Sequence, residues 1–127
     1  MSYKNEVIVR HQFKGMHNWG NCHIGDVAFL KHPHRHIFHV ELVASVNHAD
    51  RDIEFFMLQR LIDSSIYNLY HGESDMGYIE LGSRSCEMIA KDIIDILVTR
   101  YDLPSTEVTC SVFEDNENGA KVSWVKG

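Results

Sequence analysis

The sequence predicts an α+β domain in which a four-stranded antiparallel sheet carries two helices on one face. Three observations predict it. Apolar residues alternate in two N-terminal and two C-terminal stretches, they recur every three or four residues in two central stretches, and the element order is therefore strand, strand, helix, helix, strand, strand. No linker, repeat or low-complexity run divides the chain, so residues 1–127 read as one domain.

The first strand is expected from Glu6 to His17, where Val7, Val9, His11, Phe13, Gly15 and His17 share one parity. Turn formers from Asn18 to Asp26 make a loop. A second strand should start at about His34, because Pro33 limits it, and should run through Phe38, Val40 and Leu42. Phe55, Leu58, Ile62, Ile66 and Leu69 then mark a helix from about Asp52 to Tyr70, with Asp50 or Asp52 as its cap. Its interior pair Ser64-Ser65 is unusual for a helix.

His71-Gly72 ends that helix and opens a loop to Gly77. The second helix carries Ile89, Ala90, Ile93, Ile94, Leu97 and Tyr101 on one face, with Ser83 or Ser85 as cap and Arg100 and Pro104 at its finish. Val108, Cys110 and Val112 form the third strand, Asn116-Glu117-Asn118-Gly119 supplies a hairpin signal, and Ala120 to Val125 returns as the fourth.

Composition excludes several classes. A formal net charge of -6 argues against nucleic acid as a partner, since phosphate binding needs a basic surface. No stretch approaches the roughly 20 apolar residues of a membrane span, and the N-terminus lacks the apolar core of a secretory signal, so a cytoplasmic location is expected. Cys22, Cys86 and Cys110 are odd in number and show no CxxC spacing, which fits reduced thiols. A chain this short is small for an enzyme enclosing its substrate alone; a site between subunits would relieve that limit.

The histidines concentrate chemistry. Four of the nine fall between His32 and His39. On a strand, His34 and His36 point the same way and form a two-ligand bite for a metal. If the first two strands are neighbours, His17 at the end of one meets His34 and His36 at the start of the other. Three imidazoles with an open fourth position are a common catalytic zinc set; a solvated histidine-rich strand end is the plainer alternative. Glu114 ends an otherwise apolar strand face, so it is either solvated at the sheet rim or paired with two parallel N–H donors of a ligand such as a pterin. His71 could cap its helix or act as general acid and base, since imidazole titrates near neutrality. Cys22 is a candidate proton carrier or an incidental loop thiol. Cys86 lies at a helix N-terminus, where the dipole favours a thiolate, but packing is the role expected of it.

Laid out in order, these residues resemble the 6-pyruvoyl-tetrahydropterin synthase and 6-carboxy-tetrahydropterin synthase (QueD-like) family over nearly the whole chain. Phe13-Lys14-Gly15-Met16-His17 resembles the family's first zinc histidine strand, and His34-Arg35-His36-Ile37-Phe38-His39-Val40 its H-G-H-x-[YF]-x-V strand. Glu54-Phe55 matches the acidic-Phe pair that opens the first helix, Arg84-Ser85-Cys86-Glu87-Met88 stands where P-T-x-E-N is usual, and Val112-Phe113-Glu114 matches V-x-E. The resemblance implies the tunnelling fold, assembled as trimers or hexamers into a barrel with sites between subunits. It implies zinc on His17, His34 and His36, a pterin substrate held by Glu114 and Glu87, and proton transfer by His71 with Cys22. The activity implied is a lyase reaction on 7,8-dihydroneopterin triphosphate, in tetrahydropterin or queuosine-type biosynthesis.

The chain departs from that family where protons move. Val27-Ala28-Phe29-Leu30-Lys31 occupies the place of the usual cysteine, and Tyr70 that of the aspartate before His71. The alternative implied is a member that binds zinc and a pterin or purine without lyase chemistry.

Overall fold

The computed structural model describes residues 2–70 and 77–127. His71 and the loop expected to follow it up to Met76 lie outside the described residues. The strands β1 (Asn5–His17) and β2 (His34–Val46) pair antiparallel along their whole length, from Asn5 opposite Val46 to His17 opposite His34. The link between them contains a 3-10 segment, Gly25–Lys31, where a plain loop was expected.

Helix α1 (Phe55–Leu69) is capped by Glu54, whose carboxylate accepts from the Phe56 and Met57 N–H groups. Neither Asp50 nor Asp52 does this; Asp52 instead accepts from the Asn47 N–H at 2.8 Å and ties the preceding turn. Leu58, Ile62, Ser65 and Ile66 are buried, whereas Phe55, expected on the inner face, is exposed because it starts the helix before that face meets the sheet. Ser65 is accommodated by donating its hydroxyl to the Leu61 carbonyl at 2.6 Å, so no polar group is left unpaired there. A further short strand, β3 (Ile79–Gly82), precedes helix α2 (Cys86–Thr99), which Ser85 caps through the Met88 N–H. The chain closes with β4 (Glu107–Glu114) and β5 (Gly119–Val125).

Among the described residues the sheet has five strands in the order β3-β1-β2-β4-β5, not the expected four. The extra strand lies parallel to the end of β1, making the sheet mixed. Its four residues bury Ile79 and Leu81 and expose Glu80 and Gly82, an alternation too brief to stand out in sequence. It covers the β1 edge just where His17 sits.

Both helices pack on one sheet face, as expected. Val9, Phe38, Val40, Leu42, Val108, Cys110 and Val112 meet Leu58, Ile62, Ile66, Ile89, Ile93, Ile94 and Leu97 in one core. Each such large side chain taken from water contributes roughly 1.5–3 kcal/mol. At Gly15 a Cβ would stand 2.7 Å from Leu81 Cδ1 and 2.8 Å from Phe38 Cδ2, so only glycine lets Phe38 lie flat across β1. Phe38 stacks on Phe13 with ring centres 5.3 Å apart and takes the edges of His17 and His36 at 5.2 and 5.7 Å. The core thus runs directly into the histidines. Cys22, Cys86 and Cys110 are buried free thiols, and no described helix is long and apolar enough to cross a membrane.

Candidate metal centre and cleft

Strand parity and the β1–β2 register deliver His17, His34 and His36 to one place. Their rings lie edge to face with centres 4.6 to 5.4 Å apart. Glu114, opposite Phe38 at the end of β4, joins them, and one potential ligand atom from each of the four lies within 4.8 Å of all the others.

Each imidazole uses Nδ1 away from the centre. His17 Nδ1 is 2.8 Å from the Arg84 carbonyl, His34 Nδ1 is 2.9 Å from the His32 carbonyl, and His36 Nδ1 is 2.7 Å from Asp115 Oδ2. All three partners are acceptors, so Nδ1 carries the proton and Nε2 keeps its lone pair. This is the tautomer a metal ligand needs, fixed by the groups behind it.

His17 Nε2 is buried and has no aligned hydrogen-bond partner, although Glu114 Oε2 lies 2.8 Å away. We read that pair as an electrostatic contact, because the oxygen is close but off the bonding direction. Burial disfavours the His17 imidazolium, yet the Glu114 carboxylate and the Arg84 carbonyl outweigh it and hold His17 above its ordinary range. Glu114 is held below the usual carboxylate range by His17, against burial and with help from His36 at 3.6 Å. An orphaned buried nitrogen, two further imidazoles and a carboxylate fit a divalent metal; nitrogen and oxygen donors in this number suit zinc.

His17, His34 and Glu114 line a cleft of about 440 Å³ between the β1–β2 link, the start of α2 and the β4–β5 turn, with His36 just behind them. Trp19 and Leu30 line it from the link, Arg84, Cys86, Glu87 and Met88 from α2 and the residues before it, and Asn118 and Gly119 from the turn. Glu87 therefore reaches the cavity from the helix side and Glu114 from the sheet side. Trp19 and Met88 leave apolar surface exposed in it.

Cys86 is present but not activated. Burial, then Glu114 and Glu87, push its thiol up to about 12, against the pull of the helix dipole and in keeping with a packing role. Cys22 is not brought into the cleft: it is buried, and its Sγ donates to the Ile24 and Val27 carbonyls at 3.7 and 3.6 Å. Tyr70 is buried and donates to Asp92 Oδ2 at 3.0 Å, with the Arg84 guanidinium 4.9 Å from its ring centre. Burial and Asp92 raise its phenol far above the ordinary value, so it acts as a hydrogen-bond donor.

Sequence reasoning missed Asp115 and the Arg84 carbonyl. The β4–β5 hairpin is where the Asn116–Gly119 stretch predicts it, but its tight turn lies at the front of that stretch. Asp115 and Asn116 occupy its centre at φ 53 and 57, closed by the Glu117 N–H on the Glu114 carbonyl at 2.9 Å. That is the primed type I geometry, which Asp and Asn tolerate.

Fold and site together define a tunnelling-fold domain with a candidate three-histidine metal centre. The solved structures it is similar to include the 6-pyruvoyl tetrahydropterin synthase of Plasmodium falciparum, with a TM-score of 0.71 at 17% identity over 98% of this chain and 99% of that one. The Plasmodium vivax 6-pyruvoyl tetrahydropterin synthase gives 0.69 at 18% identity over the same shares, and an uncharacterized Wolinella succinogenes protein 0.63 at 13% over 95% and 98%. Another P. vivax structure is a catalytic-residue variant with cysteine in place of a glutamate. At these identities the likeness establishes the fold. The sequence matches no protein-family model and no curated protein.

Proposed function

We propose that this protein is a zinc-dependent lyase of the pterin synthase kind, acting on 7,8-dihydroneopterin triphosphate in the cytoplasm, as a trimer or hexamer with its cleft at a subunit interface. The observation that carries the reading is the set of three histidines whose Nδ1 protons point outward, with the Glu114 carboxylate beside them, at the end of a cleft in a tunnelling fold.

His17, His34 and His36 hold the metal. Zinc, when bound, supplies a Lewis acid for the side-chain hydroxyls of the substrate. Glu114 and Glu87 are the substrate-binding carboxylates, one at each side of the cavity. Glu114 takes the parallel N–H donors of the pterin ring edge, and Glu87 accepts from the substrate on the opposite side. Trp19 and Met88 offer apolar contact to a planar ring. Proton transfer falls to His71, which His71→Ala tests; Cys22, expected to share it, lies outside the cleft with its thiol on the Ile24 and Val27 carbonyls.

A second reading, a zinc- and pterin-binding protein without lyase chemistry, has its own support. Val27–Lys31 contains no thiol or carboxylate, and Cys22 is occupied with two carbonyls. Incubation of zinc-loaded protein with 7,8-dihydroneopterin triphosphate, followed by chromatography of the pterins, decides between them. A new pterin product lost in His71→Ala supports the lyase; tight binding with the substrate recovered intact supports the binder.

A further inference from the structure

The third Nδ1 contact differs in kind from the other two. His17 and His34 donate to neutral carbonyls, but His36 donates to a carboxylate, Asp115 Oδ2, at 2.7 Å. Asp115 is itself fixed to the strand that carries His36. Its Oδ1 accepts from the Ile37 N–H at 2.9 Å, and its own N–H donates to the Ile37 carbonyl at 2.8 Å. Three hydrogen bonds therefore clamp the first central residue of the β4–β5 turn onto β2. The carboxylate is nearly half exposed, so without these backbone bonds water would compete for it.

The residue before it, Glu114, faces His17 and His36 on the inner side of the same turn. One two-residue step thus places a carboxylate at the front of the His36 ring and another behind it. A carboxylate behind a ligating imidazole fixes ring orientation and tautomer, and it makes the far nitrogen a stronger donor.

We infer that Asp115 is a positioning residue for the metal centre, holding His36 through Nδ1, so that metal binding and closure of the β4–β5 turn on β2 are one event. This rests on the three-histidine metal reading. Because Asp115 stands at positive φ, two replacements preserve the turn. Asparagine tolerates that conformation and can still accept from the Ile37 N–H, but it offers His36 either a neutral oxygen or an N–H; glycine adopts it freely and removes the contact.

The test is zinc affinity by competition with a chromophoric chelator, on wild type, Asp115→Asn, Asp115→Gly, Asn116→Gly as turn control and His34→Ala as ligand control. Visible spectra of the cobalt-loaded proteins report ligand geometry. Asp115→Asn and Asp115→Gly should each bind zinc about 10–100-fold more weakly, the usual effect of losing such a support. Their cobalt bands should shift, while Asn116→Gly matches wild type. Wild-type affinity in Asp115→Asn, or an equal loss in Asn116→Gly, overturns the inference. Failure of wild type itself to bind zinc more tightly than His34→Ala overturns the metal reading instead.

Discussion

His17 Nε2 and Glu114 Oε2 stand 2.8 Å apart as two acceptors, because the His17 proton is already committed through Nδ1 to the Arg84 carbonyl. Such a pair is stable only with a cation or a second proton between or beside its members. Glu114→Gln removes the charge that balances a divalent ion. We expect zinc binding to weaken by about 10–100-fold, less than for loss of a histidine ligand, in a chelator competition. Unchanged affinity would separate Glu114 from the metal.

Gly15→Ala should loosen the floor of the site. The added methyl meets Phe38 and Leu81 at 2.8 and 2.7 Å, and both are fully buried. Overpacking of this sort costs roughly 1–3 kcal/mol. Urea denaturation should report that loss, and zinc affinity should fall with it because Phe38 supports the rings of His17 and His36. A variant as stable as wild type would mean that the strand shifts freely here.

Acid should destabilise the protein through His11. Its imidazole is half-buried, with a covered Nε2 3.4 Å from Asp63 and no aligned partner; burial pulls it below its ordinary range and Asp63 only partly restores it. In the unfolded chain His11 takes a proton near about pH 6.5, and in the folded protein only at lower pH. The unfolded state therefore binds more protons just below that point, and stability falls as pH drops through the ordinary histidine range. His11→Gln should lose less stability than wild type between about pH 7.5 and about pH 5.5, a window that brackets the ordinary histidine value. An equal or larger loss contradicts the assignment.

Tyr70→Phe should cost about 1.5 kcal/mol, the lower end for a hydrogen bond to a charged group, since Asp92 is partly exposed. The measurement is again urea denaturation. Zinc affinity should change little, because the Arg84 carbonyl that orients His17 belongs to the backbone.

The three histidines were legible in the sequence because their placement depends only on strand parity and on adjacency of β1 with β2. The helices were legible for the same kind of reason: periodicity exposes Leu58, Ile62, Ile89 and Ile93 directly. Asp115 was not legible. It reaches His36 across 79 positions, through a turn centred on the left-handed backbone of Asp115 and Asn116, one residue ahead of the stretch that signals the hairpin. β3 was hidden by its brevity and its parallel pairing. The Arg84 contact uses a main-chain oxygen, which no side-chain pattern records. At Cys86 the packing role read from the sequence holds, since burial outweighs the helix dipole and pushes the thiol up.

Everything proposed for the cleft depends on His17, His34 and His36 forming one metal centre. The deciding measurement is elemental analysis of protein loaded with zinc and desalted, wild type beside His17→Ala, His34→Ala and His36→Ala. A shared three-imidazole site, with one metal held by all three rings, predicts about one zinc per chain in wild type and little in any of the three variants. Zinc-free wild type, or a variant that keeps a full equivalent, would contradict it.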